Sequence, residues 1–394
     1  MKKKIMSLGL AVMLSIGAFA QDDLIASLKE NQSKAAKEGF VFTPIINLAT
    51  TSVKNQGSSG TCWSYSGNSF LESEMIKAGK EPVDISEIYT ARCTYIEKAI
   101  NYVRMHGSLN YGDGGALHDV INIYEKYGAL PEEVYTGLNY GTDINRFGEM
   151  QAVLKGMLDG VIANKNGQLT PNWITAFTAA LDSYLGEVPE TFTYNGKKYT
   201  PKSFAKEVVG LEASNYIEVV NLAYEPLYTD VFFPVPDNWS FDYAYNVSMT
   251  DLTDIIDNAL DKGYTIGWAT DVSEKYFSWK NGVAFVPEKD YRDMSNEERK
   301  TLFDGPKPER EITIDMRAEA FDNYTTTDDH GMQIVGLAKD QDGKAYYIIK
   351  NSWGESNDYK GYLYVTKNFV QYKTTALLVN KNGMPKQLLK KRKS

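Results

Sequence analysis

The chain has 394 residues, a formal net charge of −9 and a hydrophobic content of 43%. The acidic balance argues against a nucleic-acid-binding surface, which needs dense Lys and Arg to neutralise phosphates. With two cysteines and three histidines, the chain has too little material for a disulfide framework or a Cys/His metal site, so we expect neither a metal nor another cofactor.

The first 20 residues have the pattern of an export signal. "MKKK" is followed by the uncharged apolar run "IMSLGLAVMLSIGAFA", which ends in the small-x-small sequence Ala18-Phe19-Ala20. This layout is typical of a secretory signal peptide, and the run is short for a membrane span. We therefore predict a signal peptide over 1–20, a periplasmic or secreted protein, and no membrane span after cleavage. An uncleaved N-terminal anchor is the alternative.

The part of the chain that follows is helical in pattern. A helix is predicted to open at Cys62, and a second after the capping-box pattern of Asp84 and Glu87, running to about residue 104. A third helix, "DGGALHDVINIYEKYGALP", ends at a Gly and a Pro. Further helices are predicted over 146–185, over 202–222 and in "DLTDIIDNALDKG", and "TFTYNGKKYT" reads as a hairpin.

Strand patterns dominate the end of the chain. "YTIGWAT" reads as a buried strand, and residues 285–327 hold many charges and turn residues. After Asp328 the pattern is strand throughout: "MQIVGLA", "AYYIIKN", "GYLYVT" and "TTALLVN". The sequence thus predicts an α+β fold, with a helical half before an antiparallel β half and a site in the cleft between them.

Cys62 is the first candidate for chemistry. At the start of a helix its sulfur lies where free backbone N–H groups and the helix dipole favour the thiolate, which is the nucleophilic form. A disulfide with Cys93 is the structural alternative. Cys93 lies within a helix among apolar neighbours, where a buried thiol is common.

A thiolate needs a histidine partner, and the histidine needs an orienting group. His106 ends a helix and His118 lies within one, so structural roles are favoured for both. His330, in "TTDDHGMQIVGL", lies at the mouth of a strand, where its side chain can face a cleft. Asn351 follows 21 residues later in "KNSWGE", and a turn between adjacent strands would bring it back to His330, with Trp353 covering their hydrogen bond.

Three sequence blocks together resemble the signatures of papain-like cysteine peptidases: "NQGSSGTCWSYS", "DHGMQIVGL" and "IIKNSWGESNDYKGYLYV". The chain departs from that pattern in having Ser59 where a Cys is usual and Thr61 where Ser or Ala is usual. The interval from Cys62 to His330 is longer than in papain relatives, which implies a large insertion. The length of this interval, with "DGGALHDVINIYEKYGALPEEVY" and "ALDKGYTIGWATDV", is similar to the bleomycin hydrolase and aminopeptidase C branch.

The resemblance implies roles for four residues. Cys62 would be the nucleophile, His330 the general acid/base and Asn351 the group that orients it. Gln56, with the backbone N–H of Cys62, would form the oxyanion hole. It implies a cysteine-type aminopeptidase that hydrolyses peptides through a thioester, on a papain-like fold covering 21–381 with a poorly matched insertion at about 140–250. Relatives of this branch form homohexamers, so a homo-oligomer is possible here.

The basic segment 382–394 raises a question about substrate gating. In the family that the chain resembles, the C-terminal segment lies in the cleft and its carboxylate meets the substrate's α-amino group. Here the chain ends in "KKRKS", whose cations would repel that amine. The end is therefore either a solvated tail or part of the cleft, and in both cases we expect residues 382–389 to occupy or border the cleft.

Two other functions use the same fold. One is a non-catalytic peptide-binding or interaction module, which failure of an active-site thiol probe to label Cys62 would favour. The other is a transpeptidase with the same residues and a different acceptor. The sequence does not separate transpeptidation from hydrolysis.

Overall fold

The computed structural model describes residues 39–165 and 167–393. The signal peptide predicted over 1–20 therefore lies outside the described residues. Within the described ranges, no helix combines the length and apolar character needed to cross a membrane.

Helices are distributed along the whole described chain. Their bounds are α1 Cys62–Lys77, α2 Glu87–Arg104, α3 Leu117–Tyr127, α4 Gly148–Ile162, α5 Asn172–Leu185, α6 Pro201–Phe204, α7 Met249–Asp261, α8 Asn296–Lys300, α9 Ile314–Asp322, α10 Lys367–Lys373 and α11 Lys386–Lys391. The long helices α1 to α5 precede most of the strands, which gives the helical half that the sequence predicts.

The strands are concentrated in the second half of the chain. Their bounds are β1 Thr43–Asn47, β2 Phe192–Tyr194, β3 Lys197–Tyr199, β4 Tyr216–Val220, β5 Asp230–Phe232, β6 Tyr243–Asn246, β7 Ile266–Thr270, β8 Phe277–Ser278, β9 Val283–Ala284, β10 His330–Lys339, β11 Ala345–Lys350, β12 Tyr362–Thr366 and β13 Thr374–Asn380. All except the β2–β3 hairpin join one sheet, in the order β5-β6-β4-β13-β7-β10-β11-β12-β9-β8, with β1 added on β10. The pairs are antiparallel apart from β4–β6 and β9–β12, which are parallel, so the sheet is mixed and the fold is α+β.

Helix α1 lies at the centre of the molecule because it packs on both sides. It contacts α3 on one side and β10 on the other. A Cβ at Gly67 would lie 2.4 Å from Cγ2 of Val120 in α3, and a Cβ at Gly331 in β10 would lie 3.2 Å from the Cα of Trp63. Glycine at these two positions allows the close approach that brings the start of β10 against the first turn of α1.

One predicted helix start needs correction. Helix α2 is capped by Ser86, whose Oγ accepts a hydrogen bond from the backbone N–H of Tyr89 at 3.0 Å. Asp84 and Glu87, predicted as the capping box, instead bind the ammonium of Lys54. The half-buried ammonium of Lys54 binds these carboxylates, and a nearby serine supplies the cap.

The predicted helix over 202–222 is only partly correct. Helical turns occupy Pro201–Phe204 and Ala205–Val209, but Tyr216–Val220 is the buried strand β4. The run "YIEVV" is rich in aromatic and β-branched residues, which favour strand, and pairing with β13 and β6 decides it. The predicted insertion at about 140–250 therefore extends the sheet, because β4, β5 and β6 all come from it.

Two further predicted regions are confirmed, and one is corrected. The hairpin pairs Phe192 with Tyr199, and Asn195 and Gly196 both have positive φ, as a tight two-residue turn requires. The helical stretch 146–185 is two helices, α4 and α5. Helix α10 interrupts the run predicted as strand throughout, between β12 and β13.

The C-terminal segment is packed, and the prediction that it borders the cleft is wrong. Met384 and Leu388 are 1% and 2% exposed and join the core beneath β4, β7 and α7. The hydroxyl of Tyr245 donates a hydrogen bond to the carbonyl of Leu388 at 2.6 Å, and Arg392 pairs with Asp230 at 2.7 Å. These contacts hold the described segment 382–393 on the far face of the sheet, and none of its residues lines the cleft that holds Cys62.

Candidate active site

Cys62 and His330 share the wall of a cleft of about 1060 Å³. Cys62 is the first residue of α1, where backbone N–H groups have no partner within the helix, and its side chain is only 5% exposed. His330 is the first residue of β10, and the next residue, Gly331, lies against the backbone of Trp63. The start of α1 and the start of β10 thus place Cys62 and His330 on the same wall of the cleft.

Asn351 lies directly behind His330. It follows β11, the antiparallel neighbour of β10, and its Oδ1 is 2.8 Å from His330 Nε2. Asn351 Oδ1 also accepts a hydrogen bond from the backbone N–H of Ser352 at 2.7 Å. Because a backbone amide can only donate, this contact identifies the side-chain oxygen, and His330 Nε2 must carry the proton that it donates. His330 Nδ1 is then the basic nitrogen of the neutral imidazole.

Trp353 covers this pair. Its ring centroid lies 4.5 Å from that of His330 with an interplanar angle of 32°, and it packs edge-on against Trp279. His330 is 3% exposed, and burial lowers its pKa to about 4, against the opposing effect of its bond to Asn351. The histidine is therefore neutral at pH 7 and able to accept a proton from a thiol.

Gln56 lies behind the cleft wall and is fully buried. Its Oε1 accepts a hydrogen bond from Ser352 Oγ at 2.7 Å, and its Nε2 donates to the carbonyl of Ser59 at 2.7 Å. The backbone N–H of Gln56 donates to the carbonyl of Ser352, which ties the loop before α1 to the residue after Asn351. A primary amide has two N–H donors, so one remains beyond the bond to Ser59.

The loop that leads into α1 is held by Asp113. This carboxylate accepts a hydrogen bond from the backbone N–H of Gly60, and the Asp113 carbonyl accepts one from Trp63 Nε1 at 3.0 Å. Burial raises the pKa of Asp113. The backbone around the candidate nucleophile is thereby fixed from the side of the helical half.

The two cysteines do not form a disulfide with each other, which removes the structural alternative for Cys62. Cys93 is buried in α2, and burial raises the pKa of its thiol to about 12. The two thiols therefore lie in different environments: Cys62 lines the cleft, and Cys93 lies in the core.

His106 and His118 take no part in the cleft beside Cys62. His106 is exposed after α2, with φ of 52°. His118, which the sequence left with a structural role, forms a buried pair between its Nδ1 and Glu218 Oε2 at 2.6 Å. Although burial acts in the opposite direction, Glu218, Asp119 and Asp242 raise the pKa of His118 to about 10, so it is a cation at neutral pH.

Among the described residues, one carboxylate cluster has the spacing of a metal site: Glu72, Asp84 and Glu87. The ammonium of Lys54 lies among them, 3.8 Å from Glu72 and 2.5 Å from Glu87. The three carboxylates, against the effect of burial, raise the pKa of Lys54, which therefore stays charged. A lysine occupies the place that a cation would take, so the cluster is an internal ion-pair network.

Family models match both parts of the chain. Residues 46–153 match the papain family cysteine proteases, and residues 180–394 match the Peptidase C1-like family. The chain belongs to the Peptidase C1-like family. This cysteine peptidase is 24% identical to aminopeptidase C of Lactobacillus delbrueckii subsp. lactis, an alignment that covers 92% of the chain and 86% of that relative. It is 21% identical to the mitochondrial cysteine proteinase 1 of Saccharomyces cerevisiae, covering 92% and 81% of the two chains.

A solved structure agrees in fold. PepW from Lactobacillus rhamnosis superposes with a TM-score of 0.70 at 18% identity, over 94% of this C1-like peptidase and 91% of PepW. The predicted resemblance and the predicted papain-like α+β fold are confirmed.

Sequence reasoning missed the acidic residues of the cleft. Glu218 lies in β4, within the region predicted as helix, and Asp237 lies in the insertion. A single Glu inside the apolar run "YIEVV" was the one available signal, since an acid between buried strand residues needs a partner or a function.

Proposed function

We propose that this cysteine aminopeptidase acts through Cys62, His330, Asn351 and Gln56. The observation that carries the proposal is the 2.8 Å bond from His330 Nε2 to Asn351 Oδ1, with His330 and Cys62 on the same cleft wall. That bond leaves His330 Nδ1 as the base for the thiol proton. The relatives named aminopeptidase C support a substrate with a free N terminus.

In the first half-reaction, His330 Nδ1 takes the proton of the Cys62 thiol, and the sulfur attacks the carbonyl carbon of the peptide bond. The carbonyl π electrons move to oxygen, which becomes the oxyanion. The backbone N–H of Cys62 and the remaining N–H of Gln56 Nε2 would donate to it, and such a donor is worth about 3 kcal/mol. As the tetrahedral species collapses, the C–N bond breaks and His330 gives its proton to the leaving amine.

The second half-reaction reverses these roles. The thioester joins the acyl residue to Cys62, and His330 Nδ1 removes a proton from water as the water attacks the thioester carbonyl. The C–S bond then breaks, and the proton returns to sulfur as the acid product leaves. Asn351 keeps the imidazole plane in position through both steps, while Trp353 excludes water from the bond between them.

Hydrolysis of aminoacyl and N-acetyl-aminoacyl fluorogenic amides tests this function. We expect the wild-type chain to cleave the free-amine substrate and Cys62→Ala to cleave neither. A Cys93→Ala variant is the matched control, because it removes the other thiol and leaves the cleft intact. Activity retained in Cys62→Ala, or cleavage of N-acetylated substrates in preference to free ones, would contradict the proposal.

The setting of the enzyme is also a proposal. The signal-peptide pattern of residues 1–20 supports export to the periplasm or the medium. The branch resemblance supports a homo-oligomer. N-terminal sequencing of the protein recovered from its native host and light scattering of the purified chain test these two expectations separately.

A further inference from the structure

The cleft carries an excess of acid. Six carboxylate residues and one lysine line it among the described residues: Asp113, Asp159, Glu218, Asp237, Asp328, Asp329 and Lys155. Three of these acids already have a structural role. Asp113 holds Gly60, Asp159 pairs with Lys155, and Asp329 accepts hydrogen bonds from the backbone N–H of Val272 and from Ser273. Glu218, Asp237 and Asp328 remain, and we call these three the acidic subsite.

Glu218 is the residue that points to a ligand. Its side chain is 4% exposed and lies at the cleft wall, with Oε2 bound to His118. Its second oxygen, Oε1, is buried and makes no hydrogen bond to any described residue. A buried carboxylate oxygen without a donor is costly, so a positive charge brought close to Glu218 in the cleft would be favourable.

Asp328 lies within electrostatic range of both Asp237 and Glu218. Asp328 accepts a hydrogen bond from Thr375 Oγ1 at 2.5 Å, and burial together with the charges of Asp237 and Glu218 raises its pKa to about 7. Asp237 lies against the backbone of Gly114, where a Cβ would be 2.2 Å from Asp237 Oδ2. Asp237 accepts a hydrogen bond from Asn110 at 3.0 Å.

The cations nearby do not balance these charges. His118 pairs with Glu218, but Asp119 and Asp242 also lie within 4 Å of it, at 3.7 Å and 3.4 Å. Lys98 Nζ is 3.9 Å from Asp237 and gives a shorter hydrogen bond, 2.8 Å, to the carbonyl of Gly114. Four carboxylates therefore share these two cations, and a further positive charge at this end of the cleft would be favourable.

The sheet register gives the distance from the catalytic pair. Glu218 in β4 faces Leu378 in β13, which faces Gly267 in β7, which faces Gln333 in β10, three residues along the strand from His330. Three strand spacings across the sheet and three residues along it place the Glu218 and His330 backbones about 17 Å apart. Side chains span part of this gap, and an extended peptide advances about 3.5 Å per residue. The subsite is thus within reach of the second residue before the cleaved bond, and the amine of the residue that is itself attacked falls short of it.

We propose that Glu218, Asp328 and Asp237 bind a positively charged group carried by the second residue upstream of the cleaved bond. This inference rests on the proposed function of the cleft and concerns substrates that carry two residues upstream of the cleaved bond, since the amine of a one-residue aminoacyl substrate falls short of the subsite. Two sources have the required chemistry: a free α-ammonium group at that residue, and the side chain of Lys or Arg there. Since the described C-terminal segment is held elsewhere, the subsite supplies from within the cleft the negative charge that a substrate cation needs.

Three fluorogenic dipeptide amides separate the sources: Ala-Leu with a free amine, N-acetyl-Ala-Leu with no cation, and N-acetyl-Lys-Leu with a side-chain cation. We expect wild-type kcat/KM to be higher for the cationic substrates than for the neutral one. Glu218→Gln should reduce that advantage, measured as the ratio of kcat/KM for the cationic to the neutral substrate, about tenfold or more. Asp237→Asn, which keeps an acceptor for Asn110, should act in the same direction, and Glu297→Gln on exposed α8 is the matched control.

The outcomes are distinct. Loss of the advantage for Ala-Leu alone assigns the subsite to the α-ammonium group, and loss for N-acetyl-Lys-Leu alone assigns it to the side chain; both results support a cation subsite. Unchanged substrate ratios in both folded variants overturn it. If Glu218→Gln fails to fold, because His118 loses its buried partner, the result from Asp237→Asn decides. Failure of the proposed function is recognised separately, because wild type would then show no Cys62-dependent hydrolysis of any substrate.

Discussion

His330 and Asn351 are 21 residues apart in the chain, and the antiparallel pairing of β10 with β11 places their side chains 2.8 Å apart. The bond makes His330 Nε2 the proton donor and leaves His330 Nδ1 as a base on the cleft side. A neutral, buried and oriented imidazole beside a helix-start cysteine is the arrangement that thiol activation requires.

Asn351→Ala should reduce kcat less than His330→Ala does. Removing the imidazole removes the proton acceptor, at a cost of about 10⁴-fold or more, whereas an unoriented imidazole still samples the correct position and should cost about 10- to 100-fold. Steady-state kinetics with one free-amine substrate measures both. An equal or larger loss in Asn351→Ala would show that His330 is not the base.

Only one of the two thiols should react with iodoacetamide in the folded protein. Cys62 lines the cleft, whereas Cys93 is buried in α2 with its pKa raised to about 12, which keeps it protonated and inert. Mass spectrometry of a brief labelling reaction should find the modification on Cys62 and a parallel loss of activity. Labelling confined to Cys93, or full labelling of Cys62 with activity retained, would refute the assigned nucleophile.

Gln56→Ala should lower kcat about 10²- to 10³-fold with little change in KM, because an oxyanion donor acts mainly in the transition state. Ser352→Ala is the informative companion. Ser352 Oγ donates to Gln56 Oε1, so its loss leaves the donor present but less firmly oriented, and a smaller decrease is expected. A loss of less than about threefold in Gln56→Ala would remove it from the oxyanion hole.

Stability should depend on pH through His330. Burial lowers its pKa from 6.5 to about 4, so between these values the unfolded chain binds a proton that the folded chain does not. The stabilising contribution is therefore complete above pH 6.5 and is lost as the pH falls to about 4, amounting to about 3 kcal/mol.

Urea unfolding of wild type and His330→Ala at several pH values measures this contribution. The variant should lack the part of the slope that His330 supplies. His106→Asn is the matched control, since His106 is exposed and its positive φ suits Asn. A variant slope equal to that of wild type would mean that His330 is protonated in the folded chain within this range.

The sequence predicted some elements of the fold and of the candidate site correctly and others incorrectly. Local patterns were sufficient for α1, for the hairpin at Asn195-Gly196 and for β10 and β11, because apolar periodicity and turn residues act within a few positions. The spacing of signature residues brought Cys62, His330 and Asn351 into one hypothesis, and the structure brings their side chains to one cleft wall and the layer behind it. The predictions that were wrong concern features that are set by residues distant in the chain. Ser86 caps α2 because Lys54 takes the carboxylates of Asp84 and Glu87.

The acidic subsite was not predicted for the same reason, because it depends on contacts between segments that are distant in the chain. Glu218 enters the cleft only because β4 joins the sheet beside β13, and no local pattern carries that pairing. Asp237 approaches Gly114 across the insertion, a contact between segments more than 100 residues apart in the chain. Two of the three residues of the proposed subsite are supplied by a region whose pattern gave the least information, so the fold and the grouping of Cys62, His330 and Asn351 were predictable while the acidic lining of the cleft was not.

Truncation after Lys381 should destabilise the protein without changing its choice of substrate. The deletion removes Met384 and Leu388 from the core, and each buried side chain of this kind is worth about 2–5 kcal/mol when truncated. It also removes the carbonyl that Tyr245 binds and the pair between Arg392 and Asp230. A shorter deletion that removes only residues 392–394 is the matched control, because it spares Met384 and Leu388. Thermal unfolding should separate the two deletions.

The ratio of cleavage of N-acetylated and free peptides should be the same as in the full chain, because segment 382–393 lies on the sheet face away from the cleft. A rise in cleavage of blocked peptides in a truncated protein that remains folded would show that the segment gates the cleft after all, and that it reaches Cys62 in a conformation different from the packed one.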